Sequence, residues 1–259
     1  MTLDVSALIG AYPFREIPHS DPDTLVRVLD REGIAEAWVG HLPTAFHRDP
    51  HYGNLALYQA IGNHRDRLFA AAVVRPDWPS WGTELARAIH EGAQAIRAYP
   101  AHWGLGPGSS ALDDLATACS EQKLPLVLTV RFEDGRQRHR LDVAGDLPAA
   151  TVRGVARAGS GARIVVVAAG RAFIEEVHWG LTPAERSLVW YDTSWIWGPP
   201  EDDFAHLMRT IGPERFVHGT GWPMRLAQVT RANLALLPPE LAGLRLADAS
   251  DWKTAIRQG

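Results

Sequence analysis

The sequence predicts a (β/α)8 barrel, and three observations carry that expectation. Short apolar runs alternate with longer amphipathic ones along the whole chain, the pattern of a parallel sheet covered by helices. The run Leu124 to Phe132 is nearly all apolar, as a strand buried on both faces must be. A doubly wound sheet would need a glycine-rich phosphate turn after the first strand, and Ile9-Gly10-Ala11-Tyr12 contains no Gly-x-Gly-x-x-Gly. Since a barrel of about 250 residues is one domain, the 259 residues, 46% of them hydrophobic, are expected to form a single domain over 1–259.

Taken in order, Leu3 to Gly10 reads as the first strand. Ser20-Asp21-Pro22 supplies a capping side chain and a first-turn proline, so a helix begins there, marked by Leu25, Val26 and Leu29 and stopped by Gly33. Glu36 to Leu42 is the second strand, Leu55 to Ile61 the second helix and Leu68 to Val74 the third strand, closed by Arg75-Pro76. Trp81 to His90 is helical, Gln94 to Tyr99 the fourth strand, Ala111 to Gln122 helical and Leu124 to Phe132 the fifth strand. The second half repeats the rhythm, with strands at Arg163 to Ala169 and Leu188 to Trp195 and helices at Leu147 to Ala158, Phe173 to Val177 and Phe204 to Ile211. The eighth strand lies within Glu214 to Pro223, where Phe216-Val217 gives way to Gly219 and Gly221 and Pro223 ends further pairing. Gln228 to Leu237 is the last helix, and Glu240 to Gly259 reads as a packing segment or partner surface.

Composition removes several function classes. The 26 Lys and Arg against 30 Asp and Glu give a formal charge of -4, mixed along the chain, so neither nucleic acid nor an anionic membrane is an implied partner. The single Cys119 sits in an apolar helical run and cannot form an internal disulfide, which fits a reducing compartment. With no signal-like amino terminus and no run of about 18 apolar residues, a cytoplasmic protein is expected.

Six motifs in order resemble the amidohydrolase-2 family. Leu3-Asp4-Val5-Ser6-Ala7-Leu8-Ile9-Gly10 is similar to its opening Ile-Asp-x-His-x-His-x-Gly, and Gly92 to Pro100 to its Gly-hydrophobic-Arg-x-x-Pro strand. Leu124 to Thr129 and Ile164 to Gly170 resemble strands that normally end in histidine, Tyr191-Asp192-Thr193-Ser194 matches an Asp-Thr-Ser, and Gly219-Thr220-Gly221-Trp222-Pro223 stands for Gly-Ser-Asp-Trp-Pro. The resemblance implies the barrel fold with a site at the carboxyl ends of its strands. It also implies a metal, but the ligand positions hold Ser6, Leu8, Thr129, Ala168 and Gly221. That set cannot supply converging imidazole and carboxylate donors, so no metal and no cofactor are expected. Gly221 is read as a vacancy left by the aspartate. Part of the family works without metal on anionic cyclic substrates and some members decarboxylate aromatic acids, although those generally keep more of the polar strand ends.

The polar residues that remain at the predicted mouth define the candidate site. Alternation puts Thr129, Arg131 and Glu133 on one face, and arginine's planar fork suits a carboxylate. Arg131 is expected as the principal anion contact with Glu133 as its nearest carboxylate, and the alternative is a salt-bridged surface loop. Arg97 ends an apolar strand and should be paired or ligand-facing, and Arg15 and Tyr12 follow strand one as further binding candidates. Glu133 or His139 is assigned acid or base work, and Asp192 a catalytic or orienting role. Trp222 is expected as a wall, and Trp103, Trp195 and Trp197 as stacking groups or plugs. His41, His47 and His51 lack metal-site spacing, and His218 reads as a satisfied core histidine. The expected function is metal-independent hydrolysis or decarboxylation of a small carboxylated substrate, in a chain that also has the option of forming homo-oligomers. The rival is a non-catalytic descendant that binds a ligand or partner.

Overall fold

A computed structural model describes residues 2–252. Eight parallel strands pair in sequence order, β1 (Leu3–Ile9), β2 (Glu36–His41), β3 (Leu68–Val73), β4 (Ala95–Ala98), β5 (Leu126–Thr129), β6 (Ile164–Val167), β7 (Val189–Asp192) and β8 (Phe216–Val217). The chain beyond β8 closes the ring on β1: Val5 N–H donates to the His218 carbonyl at 3.1 Å and Leu8 N–H to the Trp222 carbonyl at 2.7 Å. Helices alternate with the strands and cover the outside, so the expected (β/α)8 barrel is the observed fold. No described helix is long and apolar enough to cross a membrane.

Local chemistry explains most element boundaries. The helix Pro22–Glu32 starts where Asp21 accepts the Thr24 N–H at 2.8 Å and stops at Gly33 in the left-handed region. The second helix runs over His51–Ala60, earlier than its expected start at Leu55, because its first turn, His51-Tyr52-Gly53-Asn54, carries no apolar periodicity. β5 is shorter than the apolar run that predicted it and ends at Thr129.

Along each strand, alternate side chains fill the barrel lumen: Val5, Trp38, Ala71, Ala95, Val127, Val165 and Val217 belong to one buried cluster, and the opposite faces pack against the helices. β1 departs from strict alternation. Its register slips between the pairs Asp4↔Ala37 and Ala7↔Val39, so Val5 and Ser6 together face one residue of β2. This bulge, held by an Asp4 Oδ1 that accepts the Ser6 N–H at 3.0 Å, turns Ser6 and Leu8 toward the mouth above Val5. The tail is a packing segment as far as it is described. Ala247 bridges Val217, and the Trp252 ring lies 4.7 Å from Trp190 and 6.4 Å from Trp38, closing the amino-terminal end of the lumen. The remainder of that tail, residues 253–259, lies outside the described residues.

Candidate functional site

The carboxyl ends of the strands surround one cavity. Ser6 and Leu8 enter it from β1, Arg97 from β4, Thr129, Arg131 and Phe132 from β5 and the loop after it, and Val167 and Ala168 from the end of β6. Ser194 and Trp195 follow β7, and Gly221 and Met224 follow β8. Five of these residues, Ser6, Leu8, Thr129, Ala168 and Gly221, stand where the resemblance implies metal ligands. The cavity leaves about 20 Å³ in which the centre of a water molecule can move, and about 290 Å³ of empty space when the part open to solvent is counted.

Arg97 is the dominant charge in this cavity. The period of two that sends Ala95 into the lumen sends Arg97 in above it, where it is 1% exposed. Its Nη2 donates to the Val5 carbonyl across the barrel at 3.1 Å, while its Nε has no partner. Among the described residues it forms no ion pair. A guanidinium without a carboxylate is costly to bury, so the fold maintains a positive charge for which it supplies no counterion.

Two more arginines sit above it. Arg131 pairs through Nη2 with Asp146 Oδ2 at 2.9 Å, lies over the Trp195 ring at 5.5 Å and leaves a buried Nε without a partner. Arg225 is held between Trp195 and Trp197, at 4.6 and 4.9 Å from their ring centres. Burial pushes its pKa below the ordinary arginine value, opposed by the charges of Asp134 and Asp192. Trp195 therefore serves as a platform for two cations at the rim.

Asp192 lies behind the cavity wall and is fully buried. Burial raises its carboxyl above the usual range and the nearby Asp4 charge adds to this, while the Ser194 and Ser6 hydroxyls and the Ala168 N–H oppose it. That N–H reaches Asp192 Oδ1 at 2.9 Å because Ala168 adopts φ 61, a left-handed conformation that costs an L-residue about 1–2 kcal/mol. The arrangement is a buried acid favouring its neutral form, with two serine hydroxyls between it and the cavity.

The structure separates the other sequence candidates from this cavity. Glu133 does not pair with Arg131: it accepts the Tyr12 hydroxyl at 3.1 Å and Arg15 Nε at 2.6 Å, because β5 ends at Thr129 and the chain turns before alternation can carry Glu133 over the lumen. His139 stacks on Phe14, with ring centres 5.5 Å apart. These groups sit around an aromatic cluster in which Tyr12 and Phe132 are 6.1 Å apart, so Phe132 stands between that cluster and the cavity it lines. Trp222 lines a separate cleft of about 370 Å³ with His19, Thr24, Arg27, Val28 and Arg31.

Other expectations are also refined. His41 bonds Thr44 at 2.8 Å and His51 bonds Glu84 at 3.1 Å, so these histidines turn to different partners. His218 is half-buried with its Nε2 buried and unpartnered, and desolvation lowers its pKa, so it is not the satisfied core histidine expected. Gly221 is more than a vacancy, since its φ is 63 and a Cβ there would lie 3.1 Å from both Arg225 Cγ and Ser194 Cβ. Arg225, Ser194 and Asp146 were not singled out from sequence. Ser194 had a signal in the Asp-Thr-Ser motif, and Arg225 in its place on the loop after the last strand.

The residues present do not fit the metal that the fold implies elsewhere. Among the described residues no three His, Cys, Asp or Glu side chains converge as a metal site, and the Arg97 guanidinium occupies the same mouth. The carboxylates against the lining are Asp4, which accepts from Ser6, Asp146, which pairs with Arg131, and Asp192, whose protonated form burial favours.

No family model matches the sequence, and no curated protein does. Solved structures do match the fold. A 2,6-dihydroxybenzoate decarboxylase, solved with 2,6-dihydroxybenzoate, aligns at TM-score 0.68 and 14% identity over 97% of this chain and 98% of that one. A 4-oxalomesaconate hydratase from Rhodopseudomonas palustris aligns at 0.63 and 13% identity over 93% and 91%. A probable 2-pyrone-4,6-dicarboxylic acid hydrolase from Acinetobacter baumannii, solved with citric acid bound, aligns at 0.55 and 14% identity over 86% and 84%. At these identities the likeness establishes the fold alone, a (β/α)8 barrel that these decarboxylase, hydratase and hydrolase structures also have.

Proposed function

We propose that the barrel mouth is a metal-independent active site that hydrolyses or decarboxylates a small carboxylated substrate. The observation that carries this reading is Arg97, a buried guanidinium without a carboxylate on the floor of a cavity at the catalytic end of the fold. Arg97 anchors the substrate carboxylate, with Arg131 second because Asp146 already occupies part of its fork. The substrate body lies in the open part of the mouth against Phe132, Trp195 and Met224. Asp192, whose carboxyl burial raises above the usual range, supplies a proton to the reacting carbon or leaving group by way of Ser194 or Ser6. The substrates named for the structural neighbours are all small carboxylated molecules, which supports this class without identifying the member.

A second reading, ligand binding without turnover, is favoured by the small volume of about 20 Å³ open to a water's centre and by the engagement of Glu133 with Tyr12 and Arg15. Incubating the protein with 2,6-dihydroxybenzoate, 2-pyrone-4,6-dicarboxylate, 4-oxalomesaconate and simpler aromatic acids, with and without a strong chelator, separates the readings. Chelator-resistant turnover that disappears in Arg97→Met supports the enzyme. Arg97-dependent binding with no product supports the second reading, and turnover abolished by the chelator overturns metal independence.

A further inference from the structure

We infer that the floor of the mouth is built for one planar oxyanion of one-carbon size, bicarbonate or formate or the terminal carboxylate of a larger acid, at the positions where the resemblance implies a cation. This rests on the reading of the mouth as a carboxylate site and narrows it.

Size is the first argument. A single water needs roughly 10–15 Å³ of the space its centre can occupy, and the whole cavity offers about 20 Å³, room for one or two waters, so a one-carbon oxyanion suits it better than a bulkier group.

Polarity is the second. Three buried groups on the lining residues have no partner, Arg97 Nε, Arg131 Nε and Thr129 Oγ1, and each can donate a hydrogen bond. Buried donors left unpaired are expensive, and three on one cavity call for an occupant that accepts from several directions. Water can accept, but it leaves the Arg97 charge uncompensated. A divalent cation would meet these donors and Arg97 with the wrong sign. A planar oxyanion satisfies both the donors and the charge, and the guanidinium fork matches its geometry.

The lining contains no carboxylate to compete with it. Asp146 is engaged by Arg131 and Arg138, and Asp192 stands behind Ser6 and Ser194. The inference also gives Thr129 a role that the barrel does not need, since its hydroxyl is buried at the mouth without a partner.

The test is calorimetric titration of the purified full chain with sodium formate, bicarbonate, benzoate, sulfate and chloride at constant ionic strength, repeated on Arg97→Met and Thr129→Val. Formate and bicarbonate should bind at least about tenfold more tightly than sulfate or chloride. They should weaken about tenfold or more in Arg97→Met, the worth of a hydrogen bond to a charged group, and severalfold in Thr129→Val. Thr129→Val, nearly isosteric, keeps the test decisive should Arg97→Met fold poorly. If benzoate binds in an Arg97-dependent way while formate and bicarbonate bind no better than chloride, the carboxylate reading stands and the one-carbon floor is wrong. If no carboxylate binds the wild-type chain, both fall.

Discussion

Arg97 reaches the centre of the mouth because residue 40 has no side chain: a Cβ on Gly40 would come within 2.9 Å of Arg97 Nη1 and within 2.9 Å of Leu8 Cδ2. The two residues, on β2 and β4, are therefore complementary, one supplying the charge and the other the space across the lumen. Gly40→Ala should displace the guanidinium, cost about 1–3 kcal/mol of stability through overpacking, and weaken carboxylate binding. Urea denaturation together with formate titration checks it, and unchanged binding would separate Gly40 from the site.

Arg97→Met is predicted to trade function for stability. Removing a buried charge that has no ion-pair partner should leave the protein as stable or more stable by about 1–2 kcal/mol, even after loss of the hydrogen bond to the Val5 carbonyl, while carboxylate binding is lost. Unfolding midpoints measured without ligand decide this. A loss of more than about 2 kcal/mol would make Arg97 a structural group joining β4 to β1.

Asp192 gives a pH prediction whose sign follows from its raised pKa. A carboxyl held above its unfolded value stabilises the fold fully only below that unfolded value, near 3.8, and its contribution is lost as pH rises through the folded pKa. Asp192→Asn, which keeps an acceptor for the Ala168 N–H, should therefore gain stability relative to wild type as pH increases above about 4, with little difference below it. Paired denaturation curves from pH 4 to pH 8 test this, and a difference independent of pH would mean that Asp192 is ionised in the fold.

Gly221 holds a left-handed turn at φ 63, so an L side chain there meets strain as well as Arg225 and Ser194. Gly221→Ala should cost about 1–2 kcal/mol, and Gly221→Asp should confer no metal-dependent activity because no set of partner ligands converges beside it. Zinc binding with gain of hydrolysis in Gly221→Asp would show that such ligands exist.

The barrel was legible because its strands are continuous apolar runs, which period and length identify even when strand ends shift by up to three residues. Phe216-Val217 was recognisable as a strand despite its two residues because glycines and a proline follow it. The burial of Arg97 was legible for the same reason, since an arginine at the end of an apolar strand is expected to be paired or ligand-facing rather than solvated. The pairing of Arg131 with Glu133 was not, because alternation extrapolated β5 past Thr129, and in a loop the nearest residue in sequence need not be the nearest in space. Asp146, farther along that loop, took the place assigned to Glu133, and Glu133 turned to Arg15 and Tyr12 from the loop after β1. The bulge in β1 was hidden, because a register slip between Asp4 and Ala7 leaves no mark in an apolar run. The backbone requirement at Gly221 and the turn of Trp222 toward the outer cleft depend on torsions that composition does not encode.

The most direct measurement of the central claim is a high-resolution crystal structure of the protein grown with sodium formate, compared with Arg97→Met crystals grown identically. The account predicts planar three-atom density on the cavity floor within hydrogen-bond distance of Arg97, Thr129 and Ser194, absent from the variant. Water alone on the floor of the wild-type protein, or formate bound only in the cleft between Arg27, Arg31 and Trp222, would contradict it.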